Sequence, residues 1–212
     1  MIAADGLANL YRIKRDEIER RLEEFRQVWH RGDKEIFAEL CFCLLTPQSK
    51  AESCDAIVRT LKEKGLLLEG GLEEIRPYLK KTRFYKTKSQ FLVEARRLFQ
   101  RNGTLHLKER LDPTDTHATR DWLVSHVKGV GYKEASHFLR NIGLGKDLAI
   151  LDIHVLRHLK KLGLLRILPK SLTRKRYLTL EKKLRRFARR IEIPLSHLDL
   201  LLWYAESHRI FK

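Results

Sequence analysis

The 212 residues carry 44 Lys and Arg against 27 Asp and Glu, a formal net charge of +17, and 43% of them are hydrophobic. That hydrophobic share supports a packed core and excludes a disordered chain, while so large a positive excess points to a polyanionic partner such as nucleic acid. No apolar run approaches the roughly 18 residues that cross a bilayer, and no secretory signal opens the chain, so a cytoplasmic protein without a membrane partner is expected.

Apolar residues recur at helical spacing along nearly the whole chain and no alternating strand pattern stands out, so the predicted fold class is all-α. Ile13, Ile18, Leu22, Phe25 and Trp29 form one face of a first helix that ends near Gly32. Residues 35–45 are apolar nearly all round, as in a helix buried on most sides. Cys41 and Cys43 lie within it and, with Cys54, read as buried free thiols and not as a zinc cluster. Pro47 interrupts this helix. Ser49 and Glu52 then have the spacing of a capping box that opens a helix through Lys62, stopped by Gly65. Thr87 and Gln90 repeat the pattern ahead of Phe91, Ala95 and Leu98, with Gly103 as the stop. Asp112-Pro113-Thr114 reads as a turn and cap before Trp122, Val124 and Val127, and further helices are predicted over 152–162, 172–191 and 195–207.

The informative stretch runs from Val127 to Ser136. Two short helices are joined by Gly129-Val130-Gly131, where glycine lets the backbone turn sharply and approach a ligand. Amides at such a turn and at the following helix start form an anion site suited to a DNA phosphate, and Lys128 adds a charge beside it. Lys133 falls in the first turn of the second helix, where the dipole favours a neutral, nucleophilic amine. Asp152 follows 152 − 133 = 19 residues later at a helix start. An N-cap aspartate there stays ionised and can offset positive charge growing on a sugar. Singly, these features read as a plain helix-turn-helix, a surface lysine and a structural cap.

Together, Gly-Val-Gly-Tyr-Lys at 129–133 and Leu-Asp-Ile-His at 151–154 resemble the helix-hairpin-helix DNA glycosylase superfamily. The four closely spaced cysteines of the Fe–S branch are absent, and within the superfamily the chain is similar to the compact, archaeal-type 8-oxoguanine DNA glycosylase/AP lyases, because it lacks the extra β-domain of larger members and ends in Ser207-His208-Arg209-Ile210-Phe211-Lys212. The resemblance covers about residue 35 to the end, with specific motifs only in 127–155. It implies two helical lobes flanking a cleft: residues 1–32 with 122–212, carrying the hairpin, and residues 33–121. It makes Lys133 and Asp152 the catalytic pair, and the Gly129, Val130, Gly131 and Lys128 segment the backbone-binding hairpin. It implies a flipped nucleotide, attack by Lys133, a Schiff base and β-elimination, acting on double-stranded DNA that contains an oxidised purine, by a monomer. Lys212 is expected at the damaged base through its main-chain carboxylate, and Phe211 and Trp203 are candidate surfaces against that base. Gln48 matches a position that fills the vacated stack, and Tyr85, Lys86 and Lys88 resemble a second DNA-facing loop. No metal or organic cofactor is required, and a structural monovalent cation at the hairpin carbonyls is left open. Two other readings stand beside this one: another oxidised-base preference, and a non-enzymatic helix-hairpin-helix DNA-binding module.

Overall fold

The computed structural model describes residues 4–212. Its elements are α1 (Ala4–His30), α2 (Asp33–Leu45), α3 (Ala51–Glu63), α4 (Leu66–Glu69), α5 (Leu72–Leu79), α6 (Tyr85–Phe99), β1 (Gln100–Arg101), β2 (Thr104–Leu105), a 3₁₀ turn at Lys108–Arg110, α7 (Thr116–His126), α8 (Tyr132–Asn141), α9 (Ile153–Lys161), α10 (Arg174–Arg190) and α11 (Leu195–Ser207). The all-α expectation holds, with one small addition. β1 and β2 pair antiparallel, Gln100 opposite Leu105 and Arg101 opposite Thr104. The turn between them is Asn102-Gly103, both in the left-handed region (φ +49° and +77°) as a two-residue hairpin of this type requires. Strands of two residues are too short to show alternation, so only that dipeptide could have announced them.

Several local expectations are corrected. The buried face of α1 runs through Leu7, Ile18, Leu22 and Phe25, whereas Ile13 is 75% exposed. Neither capping box forms as read. The N-cap of α3 is Lys50, without a side-chain cap, because the Ser49 hydroxyl is engaged elsewhere, accepting from Arg83 N–H (3.1 Å) and Lys88 Nζ (2.9 Å). α6 begins at Tyr85, two residues before Thr87, from a left-handed Phe84. The cap of α7 is Asp115, which accepts from Ala118 N–H at 2.9 Å, while Asp112 closes a turn onto Thr114 N–H at 2.8 Å. α4 and α5 lie in a stretch the sequence reading left unassigned.

Buried apolar side chains fall into two clusters. The first spans Ile36 to Leu148 and is centred on α2, whose residues from Ile36 to Leu45 are all buried. A helix apolar on every side can only sit inside a bundle, and α2 packs on α3, α6 and α8. Leu123, Val127, Val130, Ala135 and Phe138, all in the 122–212 segment, belong to this cluster. The second unites Leu7, Ile18, Leu22 and Phe25 of α1 with Ala149 to Ile210, drawing on α9, α10 and α11. The chain therefore passes from one core to the other between Leu148 and Ala149, just ahead of Asp152. No described helix is long and apolar enough to cross a membrane.

Candidate active site

The hairpin is built from α7, the turn 127–131 and α8. Gly129 holds φ +83°, and a Cβ there would meet the Phe91 ring of α6 at 2.3 Å, so both conformation and close packing demand glycine. Val130 is buried in the first core and anchors the turn. Its amide donates to Val127 O at 3.2 Å, and the Gly131 amide donates to Glu134 Oε2 at 3.2 Å. Two of the three hairpin amides are thus occupied within the protein. Lys128 stands out from the turn, its side chain 72% exposed and 3.2 Å from Glu94.

Beside the hairpin opens a cavity of about 630 Å³, a size suited to a small organic group such as a base. Lys133 from the first turn of α8 and Asp152 from the start of α9 both line it, as do Gln48, Trp203 and Lys212. Asp152 is the N-cap of α9, with Oδ1 accepting from Val155 N–H at 2.8 Å; this bond fixes the carboxyl group while Oδ2 makes no such bond. Lys133 Nζ lies 3.6 Å from Glu134 Oε1.

Two polar networks hold these elements. Beneath the cavity, Asp199 of α11 accepts from Arg140 Nη1 (2.8 Å), Arg140 Nε donates to Asn141 Oδ1 (3.1 Å), and Asn141 Nδ2 donates to Glu39 Oε2 (2.9 Å). Lys212 Nζ completes it with 2.7 Å bonds to Glu39 and Asp55. Burial works against the Lys212 charge, but the two carboxylates outweigh it and raise the amine above the ordinary lysine range. Asp199 is pushed up to about 6 by burial, against the pull of Arg140. Behind the hairpin, the fully buried Arg120 pairs with Glu181 (2.6 and 3.1 Å) and donates to Ser136 Oγ (3.1 Å). Ser136 and the Tyr177 hydroxyl are 3.3 Å apart, and that hydroxyl donates to Ala149 O and accepts from Leu151 N–H (3.3 Å). Ala149 N–H donates to Glu181 at 2.9 Å. The extended residues leading to Asp152 are in this way tied to the helix that carries Lys133.

Of the other residues singled out by the sequence, Trp203 meets His154 edge-on (ring centroids 5.2 Å apart) at the cavity wall. Gln48 is exposed with φ +54° in the loop after α2. Phe211 packs on the first core against Phe42 and does not line the cavity. Tyr85 packs on that same core, away from the cavity. Lys88 does not face a DNA-binding surface: it is buried, donating to Leu45 O (2.6 Å), Pro47 O (2.7 Å) and Ser49. A sequence shows that a lysine is charged but not which way it points. Glu134, His137, Arg140 and Asp199 also line the cavity and were missed. Glu134 had a signal, since Gly131-x-x-Glu134 is a capping-box spacing; Arg140 and Asp199 pair across 59 residues and had none. The three cysteines are buried and free, and no group of three or more potential metal ligands is found among the described residues.

The family model described as 8-oxoguanine DNA glycosylase matches residues 18–193. A Fusobacterium nucleatum protein called 8-oxoguanine DNA glycosylase/AP lyase is 43% identical over 208 residues, covering 97% of this chain and 96% of the relative. A Korarchaeum cryptofilum protein of the same name is 42% identical across the full length of both. The crystal structure of the Methanocaldococcus jannaschii 8-oxoguanine glycosylase/lyase in complex with a 15mer DNA containing 8-oxoguanine is similar, with TM-score 0.87, 34% identity, and coverage of 97% of this chain and 99% of that one. A hairpin, a lysine and an N-cap aspartate around one cavity are thus joined by similarity along nearly the whole length, and the chain belongs to the 8-oxoguanine DNA glycosylase family of the helix-hairpin-helix superfamily.

Proposed function

We propose that this chain excises 8-oxoguanine from duplex DNA and then cuts the strand at the resulting site, with Lys133 as nucleophile and Asp152 as the carboxylate that stabilises the sugar. The observation that carries the reading is that Lys133 and Asp152, from two different helices, line one open cavity of about 630 Å³. The duplex is held at the hairpin by Lys128 and by the Gly129 amide left free there, and the damaged nucleotide leaves the stack to enter the cavity. Gln48 occupies the cavity rim, where an exposed polar side chain can fill the gap in the duplex. Trp203 and the main chain of Lys212 border the base, while the Lys212 ammonium is turned away to Glu39 and Asp55. The amine of Lys133 attacks C1′ while the Asp152 carboxylate offsets the positive charge that grows as the base departs. The Schiff base acidifies the neighbouring C2′ proton, and β-elimination breaks the strand on the 3′ side. Lysine and carboxylate suffice for this chemistry.

Borohydride trapping on a duplex with 8-oxoguanine opposite cytosine tests it. Wild type should give a covalent adduct, Lys133→Gln none, and Asp152→Asn should bind the duplex yet react at least ~100-fold more slowly. A panel of oligonucleotides, each with one lesion, tests the substrate: robust activity confined to an oxidised pyrimidine would overturn the 8-oxoguanine assignment. A trapped adduct that persists in Lys133→Gln would overturn the assignment of the nucleophile.

A further inference from the structure

An amine attacks through its nitrogen lone pair, so a lysine that enters the reaction as an ammonium has to lose a proton before it can attack. Asp152 lines the same cavity as Lys133. Yet among the described residues the one carboxylate within ion-pair distance of Lys133 Nζ is that of Glu134, at 3.6 Å. The Glu134 side chain is largely covered (16% exposed) and lines the same cavity. It is also prevented from swinging away, because its other oxygen accepts the Gly131 amide proton at 3.2 Å. The hairpin that would position DNA therefore also positions a carboxylate beside the nucleophile. Asp152 is held differently, committed to the Val155 amide at the start of α9, and Asp199 is engaged by Arg140.

We propose that Glu134 is a catalytic residue that carries protons away from Lys133, a role that rests on Lys133 being the nucleophile. An alkylammonium holds three protons and the protonated imine that it ends in holds one, so two must leave. Glu134 takes the first, freeing the nitrogen lone pair. The nitrogen bonds to C1′ as the C1′–N9 bond breaks, its electron pair going to the base, and the proton follows to the departing base. Ionised again, Glu134 takes the second proton from the sugar-bound nitrogen and delivers it to O4′ as the C1′–O4′ bond opens. The carboxylate ends as it began and nothing is oxidised or reduced. Asp152 is left to stabilise charge on the sugar, so the two carboxylates divide the work.

Glu134→Gln separates this role from a structural one, because the amide oxygen can still accept the Gly131 N–H while the proton-accepting charge is gone. Single-turnover trapping across pH 6–9 on the 8-oxoguanine duplex is the measurement, with duplex affinity and thermal midpoint recorded for each variant. The expected result is a thermal midpoint and duplex affinity close to wild type. The trapping rate should fall about 100-fold at pH 7 and recover as pH rises, since solvent must then take the proton. Other titratable groups face the cavity, namely Glu52, Asp152, Asp199, His137 and His154, with Lys50, Arg140 and Lys212 beside them. All of these are present in both proteins, so the difference between the two pH profiles isolates Glu134. Glu134→Ala, which loses the cap as well, should add a loss of duplex affinity. Rates and pH profiles of Glu134→Gln that coincide with wild type would overturn the proposal, as would a rate loss matched by an equal loss of affinity. Lys133→Gln as a control distinguishes this failure from that of the nucleophile assignment: if it still traps, the reading beneath has failed.

Discussion

Lys88 illustrates at the scale of a single residue how a charge can serve structure. Burial lowers its pKa from the ordinary lysine value, yet all three ammonium protons find acceptors, at Leu45 O, Pro47 O and Ser49 Oγ. These close the end of α2 and hold the loop that carries Gln48. Lys88→Met fits the space but leaves the carbonyls without donors, and should cost about 2–3 kcal/mol in urea unfolding. It should also accelerate amide exchange at residues 46–50; a change within experimental error in both would refute the pinning role. Asp199 gives a pH prediction. Burial raises its folded-state pKa to about 6, above the ~3.9 of an unfolded aspartate. The folded state therefore binds more protons between these values, and stability from this group falls as pH rises from about 4 to about 6 and is level above. The unfolding free energy of wild type relative to Asp199→Asn should decline across that window. A flat difference would mean that Arg140 holds the carboxylate ionised throughout.

Among elements, the relation of α8 to α9 decides whether Lys133 and Asp152 meet. Between the two helices the chain crosses from one core to the other, and the Arg120–Glu181–Ser136–Tyr177 network binds Ala149 and Leu151 at the crossing. Tyr177→Phe removes one hydroxyl, freeing the Ala149 carbonyl and the Leu151 amide. It should cost about 1–3 kcal/mol and slow adduct formation more than it weakens duplex binding. Arg120→Met, which strands a buried Glu181, should cost about 3–5 kcal/mol; equal mild effects of the two variants by chemical denaturation would contradict the network. Helix boundaries were legible where periodicity ran long, as in α10 and α11. They were misjudged where a serine or threonine could cap or could bond elsewhere, as Ser49 does. The pairing of Arg140 with Asp199 is invisible in one dimension because burial of a charge depends on what packs above it.

At the scale of the whole molecule the excess of positive charge is concentrated on exposed helix faces. On α10 the residues Lys175, Arg176, Lys182, Arg186 and Arg189 are all exposed, and Glu181, the lone acid of that helix, is buried against Arg120. A basic face of this kind, when it lies against a duplex, adds affinity without reading sequence. If six or more phosphates are neutralised, affinity for undamaged duplex should drop about 1,000-fold or more between 50 and 200 mM salt. Neutralising Lys182, Arg186 and Arg189 should flatten that slope and leave single-turnover excision at saturating protein unchanged. An unaltered slope would remove α10 from the DNA-binding surface.

By itself the sequence determined the helical class, the nucleic-acid partner and the candidate pair Lys133 and Asp152, because periodicity, net charge and a short glycine-bounded motif are local properties of a chain. The tertiary structure alone decided that the lysine and the aspartate open on one cavity, that Lys88 points inward, and that Arg140 pairs with Asp199 beneath that cavity. Those outcomes depend on directions of side chains and on contacts between distant segments, which exist only once the two cores have packed.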